Sequence, residues 1–154
     1  AGPQRFMSKV AELYYLAGAK LPEPIAGRLL AHPGIVRVMS ETMVKTRELS
    51  LRRWIHVQHD TYFSTYTDRQ SLLDSFRASI SHTVKDYADS FRMPVQIIAG
   101  EEDNLTPLVE QVRFANELPA ADFMVVRGSG HLVHYEAVRE TADRVSGFMV
   151  GEVS

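Results

Sequence analysis

The stretch Pro94-Val95-Gln96-Ile97-Ile98-Ala99-Gly100-Glu101-Glu102-Asp103 decides the fold. Its apolar run is short, opened by a proline and closed by a glycine. Its length and β-branched content favour a buried strand over a helix. Downstream, Thr106-Pro107 predicts a helix N-cap with proline at the first helical position. Val109, Val112, Phe114, Ala115 and Leu118 carry that helix until Pro119 ends it. Phe123-Met124-Val125-Val126 predicts a second strand, and the loop Gly128-Ser129-Gly130-His131 follows. A last helix is expected over about His134 to Val150, with Val138, Ala142, Val145 and Phe148 on one face. Strand, helix, strand, helix implies parallel pairing through a crossover. Two parallel strands are not a stable sheet by themselves. Either the earlier helices hide a strand, or the rest of the sheet lies outside this chain.

Before residue 92 the signals are helical. Phe6, Val10, Leu13, Tyr14 and Ala17 recur at helix spacing, and Leu21-Pro22-Glu23-Pro24 stops that helix. A short segment from Ile25 to Ala31 ends at His32-Pro33-Gly34, read as a turn. A longer helix is predicted from Ile35 to about Leu49. Ser50 can cap the next one, which carries Leu51, Trp54, Ile55 and Val57. Thr67-Asp68-Arg69-Gln70 reads as a capping box ahead of Leu72, Leu73, Phe76 and Ile80. No strand, repeat or low-complexity tract is evident in this part.

The 154 residues suffice for one domain with a real core. Apolar residues are 45% and charged residues 23%, which argues against disorder. The net charge of −2 lacks the basic footprint of a nucleic-acid binder, so no nucleic-acid partner is expected. There is no cysteine, hence neither a disulfide framework nor a thiolate metal site, which suits a cytoplasmic location. No apolar run approaches the roughly 20 residues of a membrane span. The start Ala1-Gly2-Pro3 has no initiator Met and no signal-peptide pattern, and reads as a piece of something longer.

Two constellations carry chemistry. Gly100-Glu101-Glu102-Asp103 directly follows the first strand, where parallel α/β sheets bind their ligands. The plainer reading of Asp103 is an acid that closes a turn or caps a helix. Gly128-Ser129-Gly130-His131-Leu132-Val133-His134-Tyr135-Glu136 directly follows the second strand. Its glycines let the backbone turn sharply and bring His131 up over the sheet edge. An imidazole there can act as a general base near neutral pH. A carboxylate off the neighbouring strand can hold its tautomer and stabilise the imidazolium. A lone histidine in a glycine loop is more often incidental. Two such groups at equivalent strand ends, Asp then His, are less easily a coincidence.

The run Pro94 to Asp103, followed by Gly130-His131, resembles the C-terminal part of an α/β-hydrolase. In that family the triad acid follows a strand as G-x-x-D, and the base follows the last strand as G-H. Matched by position, the resemblance implies Asp103 as the acid and His131 as the base. Gly130 through Glu136, shaped G-H-x-x-H-x-E, is similar to the family's loop into its last helix. The likeness covers about residues 92 to 150. It implies an α/β fold class: a partial α/β-hydrolase fold of two C-terminal parallel strands with flanking helices and a helical cap. Residues 1–85 would be the cap segment and 86–154 the C-terminal part of the core. No cofactor is implied.

One departure from the family matters most. Its triad runs Ser, Asp, His, with the serine in G-x-S-x-G. None of the serines here has glycine at both −2 and +2, and Ser129 is too close to His131 in the chain to serve as its nucleophile. The family's oxyanion loop is absent as well. The expectation is therefore part of a serine-type hydrolase, esterase-like, acting on an ester, thioester or related carbonyl. It supplies acid and base but not the nucleophile, and is inactive alone. The implied partners are the N-terminal half of the same hydrolase and a small apolar acyl substrate. The chain could be a fragment, one chain of a heteromeric enzyme, or a degenerate module kept for binding, in which Asp103 and His131 are relics. A carboxylate nucleophile stays open too, because that residue is missing.

Other groups read more plainly. His131-x-x-His134-x-Glu136 is a poor metal site, because residues two apart on a helix point to different faces. Glu136 would instead favour the positive end of the helix dipole, with His134 packed near it. His56 and His59 share a helix face but lack further ligands near Asp60, which suggests incidental histidines on a polar face. Phe6, Tyr14, Tyr15, Trp54, Tyr62, Phe63 and Tyr66 suggest cores of cap helices, a minority lining an apolar pocket. Arg28, Arg37, Lys45, Arg47, Arg52 and Arg53 read as a solvated face.

Overall fold

A computed structural model of the chain describes residues 13–63, 65 and 68–151. The described residues 13–20 are helical (α1), followed by α2 (Glu23–Leu30), α3 (Pro33–Met43), α4 (Leu49–Tyr62) and α5 (Arg69–Ser81). A 3-10 turn over Val84–Ser90 leads into β1 (Val95–Gly100), α6 (Leu108–Glu117), β2 (Ala121–Val126), α7 (Val133–Glu136) and α8 (Val138–Val150). Among the described residues there is no strand before Val95, and the sheet has two strands. No described helix is long and apolar enough to cross a membrane. The chain divides into two compact units. One takes the described residues up to Glu41 together with His56–Thr83, and the other takes Thr42–Ile55 together with the described residues from Val84 onward.

In the first unit, the Tyr14 hydroxyl shares its one proton between the carbonyls of Leu29 and Leu30, at 3.0 and 2.9 Å, at the end of α2, where the Leu29 carbonyl also accepts the His32 N–H. The Tyr15 ring stacks on Phe76 with centroids 3.9 Å apart. Arg69 donates to the carbonyl of Leu21 at 2.8 Å. Pro33 and Gly34, read above as a turn, form the first turn of α3. Proline suits that place because its missing N–H would have no helical partner there. The N-cap of α5 falls on the second residue of the expected capping box. This is Asp68, and its carboxylate accepts from the Ser71 N–H at 2.8 Å. Gln70 instead donates to Asp74. Phe6, Val10, Tyr66 and Thr67 lie outside the described residues.

In the second unit, β1 and β2 pair in parallel, Val95 opposite Ala121 through Gly100 opposite Val126. The ladder continues past Gly100, where the Glu101 N–H donates to the Val126 carbonyl at 3.0 Å. Ala88, Phe114 and Leu118 form a buried cluster against Phe91, Val95, Ile97 and Ala121, which packs α6 on the sheet. Asp122 receives Gln96 at 2.7 Å and pairs with Arg144 of α8. The predicted helix Ile35–Leu49 stops at Met43, and residues 44–48 run without helix into α4. Ser50 therefore sits inside α4 rather than capping it, and its hydroxyl donates to Glu48 at 2.5 Å.

The single last helix expected from His134 is broken. Ala137 (φ −134°, ψ 52°) leaves helical geometry and separates α7 from α8. Gly151 closes α8 at φ 75°, a left-handed C-cap that glycine adopts without strain. The face of α8 read as core is open. Val138, Ala142 and Val145 are exposed and Phe148 is half-buried; Met149, beside them, is exposed too.

Candidate active site

Asp103 and His131, 28 positions apart, meet at the carboxyl ends of β1 and β2. The parallel register sets Gly100 opposite Val126, so the loops leaving both strands emerge side by side. The loops are then stitched together. Glu102 N–H donates to the Ser129 carbonyl at 2.9 Å, and the Gly128 N–H donates to the Glu101 carboxylate at 3.0 Å. A Cβ on Gly100 would sit 2.0 Å from the Gly130 carbonyl oxygen, so β1 accepts only glycine there. Gly128 turns the chain at φ 65°. Gly130 has a different task from the sharp turn expected of it. Its φ is not positive, but a Cβ would lie 2.6 Å from the Met43 carbonyl oxygen. It is glycine for close approach.

The Asp103 carboxylate is nearly sealed, its side chain 5% exposed. One oxygen, Oδ1, accepts the N–H groups of Leu105 and Thr106 at 2.8 and 3.0 Å. The other, Oδ2, accepts the Thr106 hydroxyl at 2.6 Å and faces His131 Nδ1 at 3.0 Å. Asp103 thus closes the turn, as one reading of it expects, and also meets His131. Burial opposes ionisation, but the hydrogen bonds from His131 and Thr106 outweigh it and hold the carboxyl at about 2. Ionised, Asp103 can only accept, so Nδ1 of His131 carries the proton and Nε2 carries the lone pair. The bond to Asp103 raises the His131 pKa above its ordinary value, against burial and with the help of the carboxylate charge. The ring remains 36% exposed. His134 is shifted down, first by burial and then by the His131 charge.

Thr106 is not the N-cap of α6 that its place before Pro107 predicts. Pro107 holds that position at ψ 140°, and its carbonyl accepts from Glu110 and Gln111, which frees Thr106 to serve Asp103. The sequence signal for this was present in the D-x-x-T spacing of a turn.

Glu136 is not a helix-dipole acid. Oε1 accepts the N–H groups of Lys45 and Thr46 at 2.5 and 2.6 Å, and Oε2 accepts the Ser129 hydroxyl and the Gly130 N–H at 3.0 and 2.6 Å. These bonds end the predicted helix early, because Lys45 and Thr46 give their N–H groups to a residue about 90 positions away. Glu136 has no oxygen to spare for a metal. Among the described residues no group of three or more His, Cys, Asp or Glu is arranged to hold one.

The pair His56 and His59 is buried rather than on a solvated face. Both Nδ1 atoms converge on the Ser40 hydroxyl, at 2.6 and 2.7 Å, and His56 Nε2 reaches Glu41 at 3.0 Å. Ser40 is fully buried. Of the basic residues read as solvated, Arg37 pairs with Asp60, and Arg52 donates to the Thr46 carbonyl at 3.3 Å. Trp54, Tyr62 and Phe63 are exposed rather than core, and the Trp54 ring meets Tyr135 edge-on at 5.5 Å.

No protein-family model matches the chain, and no curated protein sequence matches it. Solved structures do. MGS-M2, an α/β-hydrolase enzyme from a Medee basin deep-sea metagenome library, is similar with TM-score 0.69 and 22% identity, over 96% of this chain and 51% of its own. An esterase from Exiguobacterium antarcticum matches with TM-score 0.67 and 11% identity, over 92% and 47%. A thermophilic esterase from Thermogutta terrifontis matches with TM-score 0.66 and 15% identity, over 83% and 48%. The chain spans about half the length of these structures. It therefore has part of the α/β-hydrolase fold, mostly helical with two parallel strands, matching about half of an esterase chain.

Proposed function

We propose that Asp103 and His131 are the acid and base of an acyl-hydrolase triad whose nucleophile comes from a segment outside this chain. The observation that carries this reading is the 3.0 Å contact between His131 Nδ1 and Asp103 Oδ2 at the ends of adjacent parallel strands. The exposed Val138, Val145 and Met149 of α8, beside a two-stranded sheet, support a missing half that completes the core. Residues 1–85 are read as the cap segment and 86–154 as core.

In this reading His131 Nε2 takes the proton of the nucleophile's hydroxyl as its oxygen attacks the carbonyl carbon of an ester or thioester. The imidazolium is stabilised by Asp103 and returns that proton to the leaving alcohol or thiol as the C–O or C–S bond breaks. A water then loses a proton to Nε2 and attacks the acyl group. The acid leaves and the nucleophile regains its proton. The substrate we expect is a small apolar acyl compound, and the partner is the N-terminal half that carries the nucleophile.

A fluorophosphonate probe tests this on the intact protein or complex. Labelling of one serine in the other half, abolished by His131→Ala, is the expected result. Unchanged labelling in His131→Ala means His131 is not the base.

A further inference from the structure

We infer that Glu136 is a positioning residue for His131: its carboxylate clamps the loop carrying the imidazole to residues 45–46 and so holds Nδ1 on Asp103. This rests on the acid–base reading given above and deepens it.

The geometry is unusually complete for one side chain. Four donors from two separate stretches converge on the two oxygens of Glu136, and three of them are backbone N–H groups. Oε2 takes the N–H of Gly130, the residue before His131, and the hydroxyl of Ser129, which is 2% exposed. Oε1 takes the opposite wall, Lys45 and Thr46. The absence of a side chain on Gly130 lets the loop lie against the Met43 carbonyl, so loop and wall touch as well as bond. Charge-assisted hydrogen bonds are the strong ones, and four to one carboxylate fix its place and theirs. The Ser129 carbonyl in turn accepts from Glu102, next to Asp103. Glu136 thus braces the loop that positions one partner of the dyad, and Ser129 couples that loop to the other. A catalytic imidazole must be held closely, because a displacement of about 1 Å is felt in the rate. The four hydrogen bonds of Glu136 go to Lys45, Thr46, Ser129 and Gly130, so it acts on His131 through the loop.

The titration of His131, followed by NMR of its ring C–H signals in the intact protein, tests the inference. Asp103 is the titrating group that acts on it, and His131 in turn acts on His134. Asp103→Asn is the reference for a lost dyad. Glu136→Gln keeps the length but presents an NH2 group to the Gly130 N–H. Ser129→Ala removes one clamp bond while leaving the Glu136 charge in place, and keeps the test alive if Glu136→Gln does not fold. The expected result is a fall in the His131 midpoint of about half a pH unit in Glu136→Gln and a smaller fall in Ser129→Ala. A fall in Glu136→Gln with none in Ser129→Ala is a charge effect and overturns the inference, as does no change in either. If Glu136→Gln is unfolded, an unmoved midpoint in Ser129→Ala overturns it. A midpoint that Asp103→Asn leaves unmoved overturns the dyad reading itself, and with it the inference.

Discussion

His131 Nδ1 and Asp103 Oδ2 stand 3.0 Å apart, each delivered by the loop at the end of its own strand. Asp103 holds one side of that contact. Replacing it with asparagine keeps the shape but can turn an N–H toward Nδ1, which stabilises the wrong tautomer. On the proposed triad, kcat of the complete protein is expected to fall by about 10³-fold or more, with KM nearly unchanged. Steady-state hydrolysis of a short acyl ester measures it.

Thr106 shares Oδ2 with His131. Thr106→Val removes the hydroxyl donor without changing volume much. The Asp103 pKa is expected to rise from its value of about 2, and kcat to fall by roughly 10-fold. Carboxyl-carbon NMR of Asp103 and ester turnover read the two effects separately.

Stability should depend on pH in a defined window. Asp103 is depressed from 3.8 to about 2, so its contribution is present above pH 3.8 and lost as pH falls through 2. His131 is raised above 6.5, so its contribution is full below 6.5 and lost as pH rises through the raised value. The stability gap between the protein and Asp103→Asn is therefore widest between pH 3.8 and 6.5. The Asp103 share is on the order of 2 kcal/mol. Urea unfolding across pH measures the gap, and a gap that does not vary contradicts the assignment.

Gly100→Ala places a methyl 2.0 Å from the Gly130 carbonyl oxygen, a backbone atom that cannot rotate away. It is expected to destabilise by about 1–3 kcal/mol and to move the His131 signals as the two loops part. Gly128→Ala meets nothing within 4 Å and strains only its own φ, so its cost should be smaller.

Away from the site, Ser40→Ala removes the hydroxyl on which His56 and His59 converge. A loss of about 1–3 kcal/mol is expected from the two buried bonds, read as a lower urea midpoint with little change at His131.

The two strands and their crossover were legible because they are local signals: a proline, a β-branched run and a glycine set each boundary. Asp103 and His131 were legible because each lies within a few residues of its strand end. The end of α3 was not. Val36, Ser40 and Met43 keep helix spacing, and the break after Met43 is enforced by Glu136, whose bonds to Lys45 and Thr46 cross about 90 positions. The burial of His56 and His59 was hidden for a similar reason. Their spacing reveals a shared face, but only the fold reveals Ser40 in front of it. The break at Ala137 has no proline or glycine to announce it.

The most direct measurement of the proposed triad is kcat/KM for a short acyl ester in the complete protein, with and without His131→Ala. A fall of about 10³-fold or more in the variant is predicted, since removing the base leaves only binding and electrostatic stabilisation. Activity within a few-fold of the unaltered enzyme would contradict the claim that Asp103 and His131 are its acid and base.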